Sequence, residues 1–512
     1  MPQQPQKPLR RLLKRGEMSA GIKALAKDTV IYGATNIISK FLNWLLAPFY
    51  IRVLADSAEY GIVTNLYAWV SIILVILTLG METGLFRFIN TSEEPKRVYA
   101  TTFKIVGMSV ALFLLVGLLS SGMIAEGIGY MSHPEYIAIF VVIVALDALM
   151  SIPFAYLRHE RRPWKFAFFK FLFIFLNIGF NLFFLLLCPY LVSKGGSLPS
   201  WLFREGYGVG YIFISNLLAS TIEFLLMLPI IKPALRGFDR ALVKPLLLYC
   251  LPLVLLGLAG IFNKMAGQIL IPSLYADRAE GMAQLGIYGG NLKIAVVMVM
   301  FIQAFRFAYD PFVFSKMKAT DGNDAYRVAM NYFIFFALLI FLTVMYGIDL
   351  FKHIVAPDYY SGLVVVPIVM ASEILFGIYY NLSVWYKVSD RTHYGATFSV
   401  IGLLVTLAVI YWGVPRFGIV AAAWSAFACN GVMLLCSYIL GRKLHPIPYD
   451  TGKNLLIIAL AMAFYFGGMA IEPSSLWLKL ALRAGLLLLF MTLSIYFFAP
   501  ELRVALRRLK RR

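Results

Sequence analysis

Two lysines stand in the middle of apolar stretches, where a charge is expensive and therefore informative. Lys40 is followed after seven residues by Pro48, then by Asp56, Glu59 and Gly61-Ile62. Lys264 is followed after seven residues by Pro272, then by Asp277, Glu280 and Gly286-Ile287. Lys40 to Gly61 is 21 positions and Lys264 to Gly286 is 22, so one pattern occurs twice with a single slip. An ammonium in low-dielectric surroundings is a compact charge suited to phosphate or pyrophosphate. Residues three or four apart share a helix face, which joins Asn36 and Asn43 to Lys40, and Gln268, Gly257 and Gly260 to Lys264. Arg52, Lys293 and Arg306 are further candidates for contacting phosphate or acidic sugar. Glu82, Asp147, Asp310 and Glu373 are candidates for coupling to protons or sodium ions, as is Glu223, and structural pairing explains each of them equally well. Arg306 and Asp310, four apart, are one such pair, and Lys170 and Arg483 are two more charges within apolar stretches.

Other chemistries are excluded by what the pattern omits. Cys188, Cys250, Cys429 and Cys436 lack CxxC or Cys/His spacing, so neither a disulfide framework nor a metal site is expected. Gly452-Lys453 is followed by Asn454 and has no glycine five positions before it, so the phosphate-binding loop of ATPases is missing. No cofactor is expected, and a proton or sodium gradient is the candidate driving force.

Such residues need elements to hold them, and composition says which. Of 512 residues 61% are apolar and 14% charged, with mean hydropathy +0.79, against roughly 45–50% apolar and 25% charged in soluble domains. Lipid must supply part of the coat. About 20 apolar residues span a bilayer as a helix, and about fourteen such runs follow one another from Thr29–Val53 to Leu480–Phe498, the thirteenth, Leu455–Ile471, being short. The expected fold is an all-α integral membrane protein of about 14 transmembrane helices. The repeat, six helices apart, predicts two parallel six-helix lobes with pseudo-twofold symmetry plus two C-terminal helices. The expected division is a basic cytoplasmic tail at 1–28, an N-lobe at 29–231, a linker at 232–245, a C-lobe at 246–441, helices 13 and 14 at 453–498, and a second basic tail at 499–512. Lys40 and Lys264 are expected to face one another across the lobes as a cationic cleft.

The formal charge of +20 is explained by topology. Lys and Arg concentrate in alternate loops, including Arg158/Arg161/Arg162/Lys165 and Lys232/Arg236/Arg240/Lys244, whereas the opposite loops hold only Lys194, Arg204, Arg278, Lys352, Arg416 and Lys479. Basic residues stay cytoplasmic, which places both termini inside and makes membrane lipids, not nucleic acid, the partner of this charge.

The segment DTVIYGATNIISKFLNWLLAPFYIRVLADSAEYGIVTNLYAW, followed by LGMETGLFRF and by the basic YLRHERRPWKFAFFKF, resembles the N-terminal region of Wzx-type polysaccharide or oligosaccharide flippases. These belong to the multidrug/oligosaccharidyl-lipid/polysaccharide exporter superfamily. The resemblance covers Lys27–Lys170, about a quarter of the chain. It implies a non-enzymatic flippase of the bacterial inner membrane, moving undecaprenyl-pyrophosphate-linked oligosaccharide by alternating access for O-antigen, capsule or related surface polysaccharide. It also implies basic residues in a central cavity and a polysaccharide polymerase among possible partners, while the appended helices 13 and 14 are similar to those of the lipid II flippases of the same superfamily, where they form a groove for the lipid tail. Two relatives with the same architecture remain open, a lipid II flippase for peptidoglycan and a cation-coupled multidrug antiporter. The basic excess within the spans disfavours the antiporter. Loops of about 20 residues or fewer leave no room for a glycosyltransferase domain.

Overall fold

The computed structural model describes residues 31–130, 132–316, 322–389 and 391–498. Both expected basic tails, 1–28 and 499–512, lie outside the described residues. Among those described there is no strand, as lipid requires of a chain that does not close into a barrel. Helix α1 covers residues 31–53. Thirteen further helices are long and apolar enough to cross a membrane: α2 Ser57–Ile89, α3 Pro95–Leu119, α4 Glu135–His159, α5 Pro163–Ser193, α6 Gly208–Leu235, α7 Arg240–Leu274, α8 Arg278–Asp310, α9 Asn323–Tyr346, α10 Pro357–Val388, α11 His393–Phe417, α12 Ile419–Leu444, α13 Thr451–Met469 and α14 Leu476–Tyr496. The short thirteenth run forms a helix, with the lowest mean hydropathy of the thirteen, 1.4.

The helices pack as two compact units. One takes in α1 up to Leu45 and the stretch Ile76–Leu251; the other takes in Leu46–Val75 and the chain from Pro252 onward. The division thus falls inside α1, α2 and α7. Helix α2 breaks just beyond its boundary, where Leu79 (φ 50°) and Gly80 (φ 64°) adopt the left-handed region before Met81–Ile89 resumes the helix. Such a φ is uncommon for leucine.

Within the second unit, the repeated motif seen in the sequence meets itself. A Cβ on Gly61 of α2 would collide with the carbonyl oxygen of Met282 on α8, and a Cβ on Gly286 of α8 would collide with the carbonyl oxygen of Ser57 on α2. Each glycine therefore lies against the carbonyl four residues before the other, and only glycine lets two backbones come so close. Around this crossing, Asn65 Nδ2 donates to the Gln268 carbonyl at 2.8 Å, Gly289 receives Thr64, and Ala68 and Ile72 pack on Ile269. The acidic residues of the two matching loops begin these helices. Asp56 Oδ1 accepts from the Glu59 amide at 2.9 Å while Glu59 Oε2 accepts from the Ala55 amide at 3.0 Å. Asp277 Oδ1 accepts from the Ala279 amide at 3.0 Å. Carboxylates at these positions satisfy amides that the first helical turn leaves open. The glycines noted beside Lys264 do less: Gly257 reaches only Val75, at 3.4 Å, and Gly260 meets nothing within 4 Å.

The last two helices belong to this unit. Helices α13 and α14 pack on each other and on α9, and they carry many exposed apolar side chains, Leu455, Leu456, Phe466, Leu488 and Leu489 among them. A surface of that kind is stable only against lipid.

Candidate functional site

In the second unit, α7, α8 and α10 carry Lys264, Lys293, Arg306, Asp310 and Glu373. Lys264 is exposed on α7 and lies in electrostatic reach of the Glu373 carboxylate on α10. The helices that carry them are fixed by amides: Asn263 Nδ2 donates to the Ser399 carbonyl on α11 at 3.0 Å, and Asn430 Nδ2 on α12 donates to the Ser372 hydroxyl at 3.0 Å. Gln268 lies one turn beyond Lys264, and its carbonyl anchors Asn65. Lys293 is half-buried on α8.

Arg306 and Asp310 share a face of α8, as their spacing predicts, but they meet through a tyrosine. The guanidinium of Arg306 sits 4.2 Å from the ring centre of Tyr380 on α10. The Tyr380 hydroxyl donates to Asp310 Oδ2 at 2.6 Å. Lys387, two turns on from Tyr380, lies 4.0 Å from the centre of the same ring and 3.7 Å from Asp310 Oδ1. One aromatic ring thus meets two cations, with the carboxylate on its hydroxyl, and the group keeps one excess positive charge. Neither Lys387 nor Tyr380 is among the candidates that the sequence singles out. Their seven-residue separation along one helix, two turns on one face, is the signal that relates them. Arg52, at the end of α1, donates to the His353 carbonyl beyond α9.

In the first unit Lys40 and Asn43 are exposed on α1 and Asn36 is half-buried. Glu82, a candidate for ion coupling, is paired with Arg158 of α4, and that guanidinium also lies 5.1 Å from the ring centre of Phe86. A second group is built from three helices. Lys170 of α5 lies within electrostatic reach of both Asp147 of α4 and Glu223 of α6, and its ammonium sits 3.8 Å from the centre of the Phe154 ring. Ser220, one turn before Glu223, donates to Asp147 Oδ1 at 3.4 Å. Glu223 is 4% exposed, and its Oε1 has no hydrogen-bond partner. Two carboxylates around one lysine leave one negative charge in excess. Helix α5 departs from α-geometry after Leu182, with a π-helical turn at Phe183–Leu187 that ends ahead of Pro189. A proline there has no amide to offer the usual register. No group of three or more His, Cys, Asp or Glu residues capable of holding a metal ion occurs among the described residues.

The sequence matches no protein-family model and no curated protein. Several solved structures share its fold. One is an inward-facing multidrug resistance MATE family transporter of the MOP superfamily, with TM-score 0.62 and 12% identity over 81% of this chain and 97% of that one. Another is the lipid II flippase MurJ in an inward closed conformation, with TM-score 0.61 and 14% identity over 91% of this chain and 99% of that one. The Vibrio cholerae MATE transporter VcmN in its bent form gives TM-score 0.52 and 14% identity over 83% of this chain and 97% of that one. At these identities the likeness is one of architecture, and the chain is a multi-pass, all-helical membrane protein with the fold of MOP-superfamily transporters and flippases.

Proposed function

We propose that this protein is a flippase for a lipid-linked saccharide with an anionic linkage, of the undecaprenyl-pyrophosphate class, serving surface polysaccharide synthesis at the bacterial inner membrane. The observation that carries the reading is the sign of the charges set into an exporter fold: Lys40, Arg52, Lys264, Lys293, Arg306 and Lys387 are held on its spanning helices or at their ends. Cations placed in low dielectric bind phosphate oxygens strongly. A pump for organic cations calls for the opposite sign. Lys40 and Lys264 are the first residues for the pyrophosphate, and Arg52, Lys293 and Arg306 support phosphate or acidic sugar, with Asn36, Asn43 and Gln268 as neutral hydrogen-bonding neighbours. The carboxylates divide by their partners. Asp147, with Glu223, keeps an excess negative charge and is the group most suited to take a proton or sodium ion, while Glu82, Asp310 and Glu373 each face a cation. Flipping lipid II for peptidoglycan uses the same physics, and the likeness to MurJ favours it as the second reading.

The test uses proteoliposomes with the purified protein and a fluorescent undecaprenyl-pyrophosphate oligosaccharide, and follows the fraction a membrane-impermeant quencher reaches. The expected result is a gain over protein-free vesicles that disappears in a Lys40→Ala/Lys264→Ala variant. Equal gain in that variant removes these lysines from the site. No gain under imposed proton and sodium gradients overturns the flippase reading.

A further inference from the structure

Away from these groups, the second unit gathers three cations around a single carboxylate where α9 ends and α14 begins. Asp349 lies on the helical turn Ile348–Phe351 just after α9. Its Oδ2 receives Lys479 Nζ at 2.9 Å and Arg483 Nη1 at 3.1 Å, both from α14 and four residues apart, while its Oδ1 faces Lys352 Nζ at 3.4 Å. Arg483 is 1% exposed. Its Nε donates to the Gly468 carbonyl at the end of α13, at 3.0 Å, and Nη1 also reaches the Tyr346 carbonyl at 3.4 Å. Its remaining nitrogen, Nη2, is buried and has no acceptor. Glu472, the nearest acidic residue in sequence to α14, is exposed and forms no ion pair among the described residues.

Two features of this cluster call for a ligand. Charges of three plus against one minus leave two in excess among side chains that are mostly buried, and a buried guanidinium N–H without an acceptor has given up its hydrogen bond to water with nothing in return. One group with several anionic oxygens answers both. The depth of the cluster says what carries that group. Trp477, 77% exposed on the first turn of α14, is of the type enriched where lipid headgroups begin, and Lys479 follows two residues later. The long apolar faces of α13 and α14 continue from the same point.

We propose that Lys352, Lys479 and Arg483 bind the phosphate of an anionic membrane lipid at the α9–α14 corner. The lipid is either a resident phospholipid or a polyprenyl phosphate, which present the same oxygens. This site is independent of the flippase reading, since none of its residues belongs to the groups assigned to the saccharide linkage.

The experiment is native mass spectrometry of the purified full chain with dioleoyl phosphatidylglycerol, dioleoyl phosphatidylcholine and undecaprenyl phosphate as probes, alongside melting curves. The expected result is at least tenfold preference for phosphatidylglycerol over phosphatidylcholine, reduced tenfold or more in Lys352→Gln/Lys479→Gln. That variant leaves the Arg483–Asp349 contact in place, so its melting temperature without lipid stays near the parent's. Asp349→Asn removes the competing anion and is expected to bind phosphatidylglycerol several-fold more tightly, which a purely structural ion cluster has no reason to do. Displacement of phosphatidylglycerol by undecaprenyl phosphate identifies the polyprenyl phosphate as an occupant, and its failure to displace identifies the phospholipid. Unchanged phosphatidylglycerol affinity in the double lysine variant, or equal binding of phosphatidylcholine, overturns the proposal.

Discussion

Replacing Gly61 or Gly286 by alanine tests the crossing of α2 and α8 directly. The added methyl group would meet backbone, which cannot swing away as a side chain can. A Cβ at Gly286 would stand 2.7 Å from the Ser57 carbonyl carbon and 3.0 Å from the Gly61 nitrogen, and one at Gly61 would stand 3.0 Å from the Met282 carbonyl carbon. Restoring an ordinary contact of 3.4 Å parts the helices by at least about 0.7 Å, a gap that forfeits a quarter or more of each dispersion contact across it. Overpacking of this kind costs about 1–3 kcal/mol, and rigid neighbours put it at the upper end. Alanine returns up to about 1 kcal/mol through helix propensity. Gly260→Ala isolates that gain, since a Cβ there meets nothing within 4 Å. The expected gap between Gly61→Ala and Gly260→Ala is therefore about 2–3 kcal/mol. The two crossing variants should be less than additive, because helices already parted by one methyl accommodate the second. Cys250 and Cys429 are free and buried, so a thiol-reactive dye follows melting without added labels. With an unfolding entropy of roughly 2 cal/mol/K per residue, this gap is roughly 2–3 °C if the whole chain melts together, and more if the second unit melts alone. Gly61→Ala melting at or above Gly260→Ala refutes the close approach.

Three other perturbations follow from the charged groups. Lys170→Met strands two carboxylates in the first unit and is expected to destabilise by about 3–5 kcal/mol, with more than half regained on adding Asp147→Asn; a double-mutant cycle by melting checks this, and no recovery separates Lys170 from Asp147. Lys264→Gln removes one cation from the proposed linkage site and is expected to slow flipping tenfold or more in the quencher assay, as loss of a charged hydrogen bond worth about 1.5–3 kcal/mol implies, while Glu373→Gln leaves binding intact. At Asp349, burial pushes the carboxyl up, but hydrogen bonds and charge from Lys479 and Lys352 outweigh it and hold the group below its ordinary value of 3.8. Its contribution to stability is then complete above about pH 4 and is lost as the pH falls through the lowered folded value. Acid unfolding followed by tryptophan fluorescence should show this loss in the parent and not in Asp349→Asn.

The spans were legible because lipid imposes one rule along the whole chain, an apolar run long enough to cross, and even the weak thirteenth run obeys it. The repeat was legible for a different reason. Its lysine, proline and glycine stand at matched positions, and the structure gives the glycines a shared purpose that spacing alone could not express: Gly61 and Gly286 are each other's contact. The acidic residues between them, Asp56, Glu59 and Asp277, are bound to amides where α2 and α8 begin, a local use recoverable from their place at the start of each helix. Partnerships across helices were not legible. Arg306 and Asp310 looked like a pair because they are four apart on α8, yet Tyr380 and Lys387 come from α10, and nothing local in α8 names that neighbour. The same holds for Arg483, which read as a solitary charge in the last helix although Asp349 waits about 130 positions earlier at the end of α9. A charge in an apolar run says that a partner exists; which residue supplies it depends on the packing of α8 on α10 and of α14 on α9. The excess of charge left after pairing is then the functional signal. It is positive around Tyr380 and around Asp349, and negative around Lys170. On the readings proposed above, anions belong at the first two groups and a proton or small cation at the third, an assignment of sign that pairwise inspection of the sequence could not make.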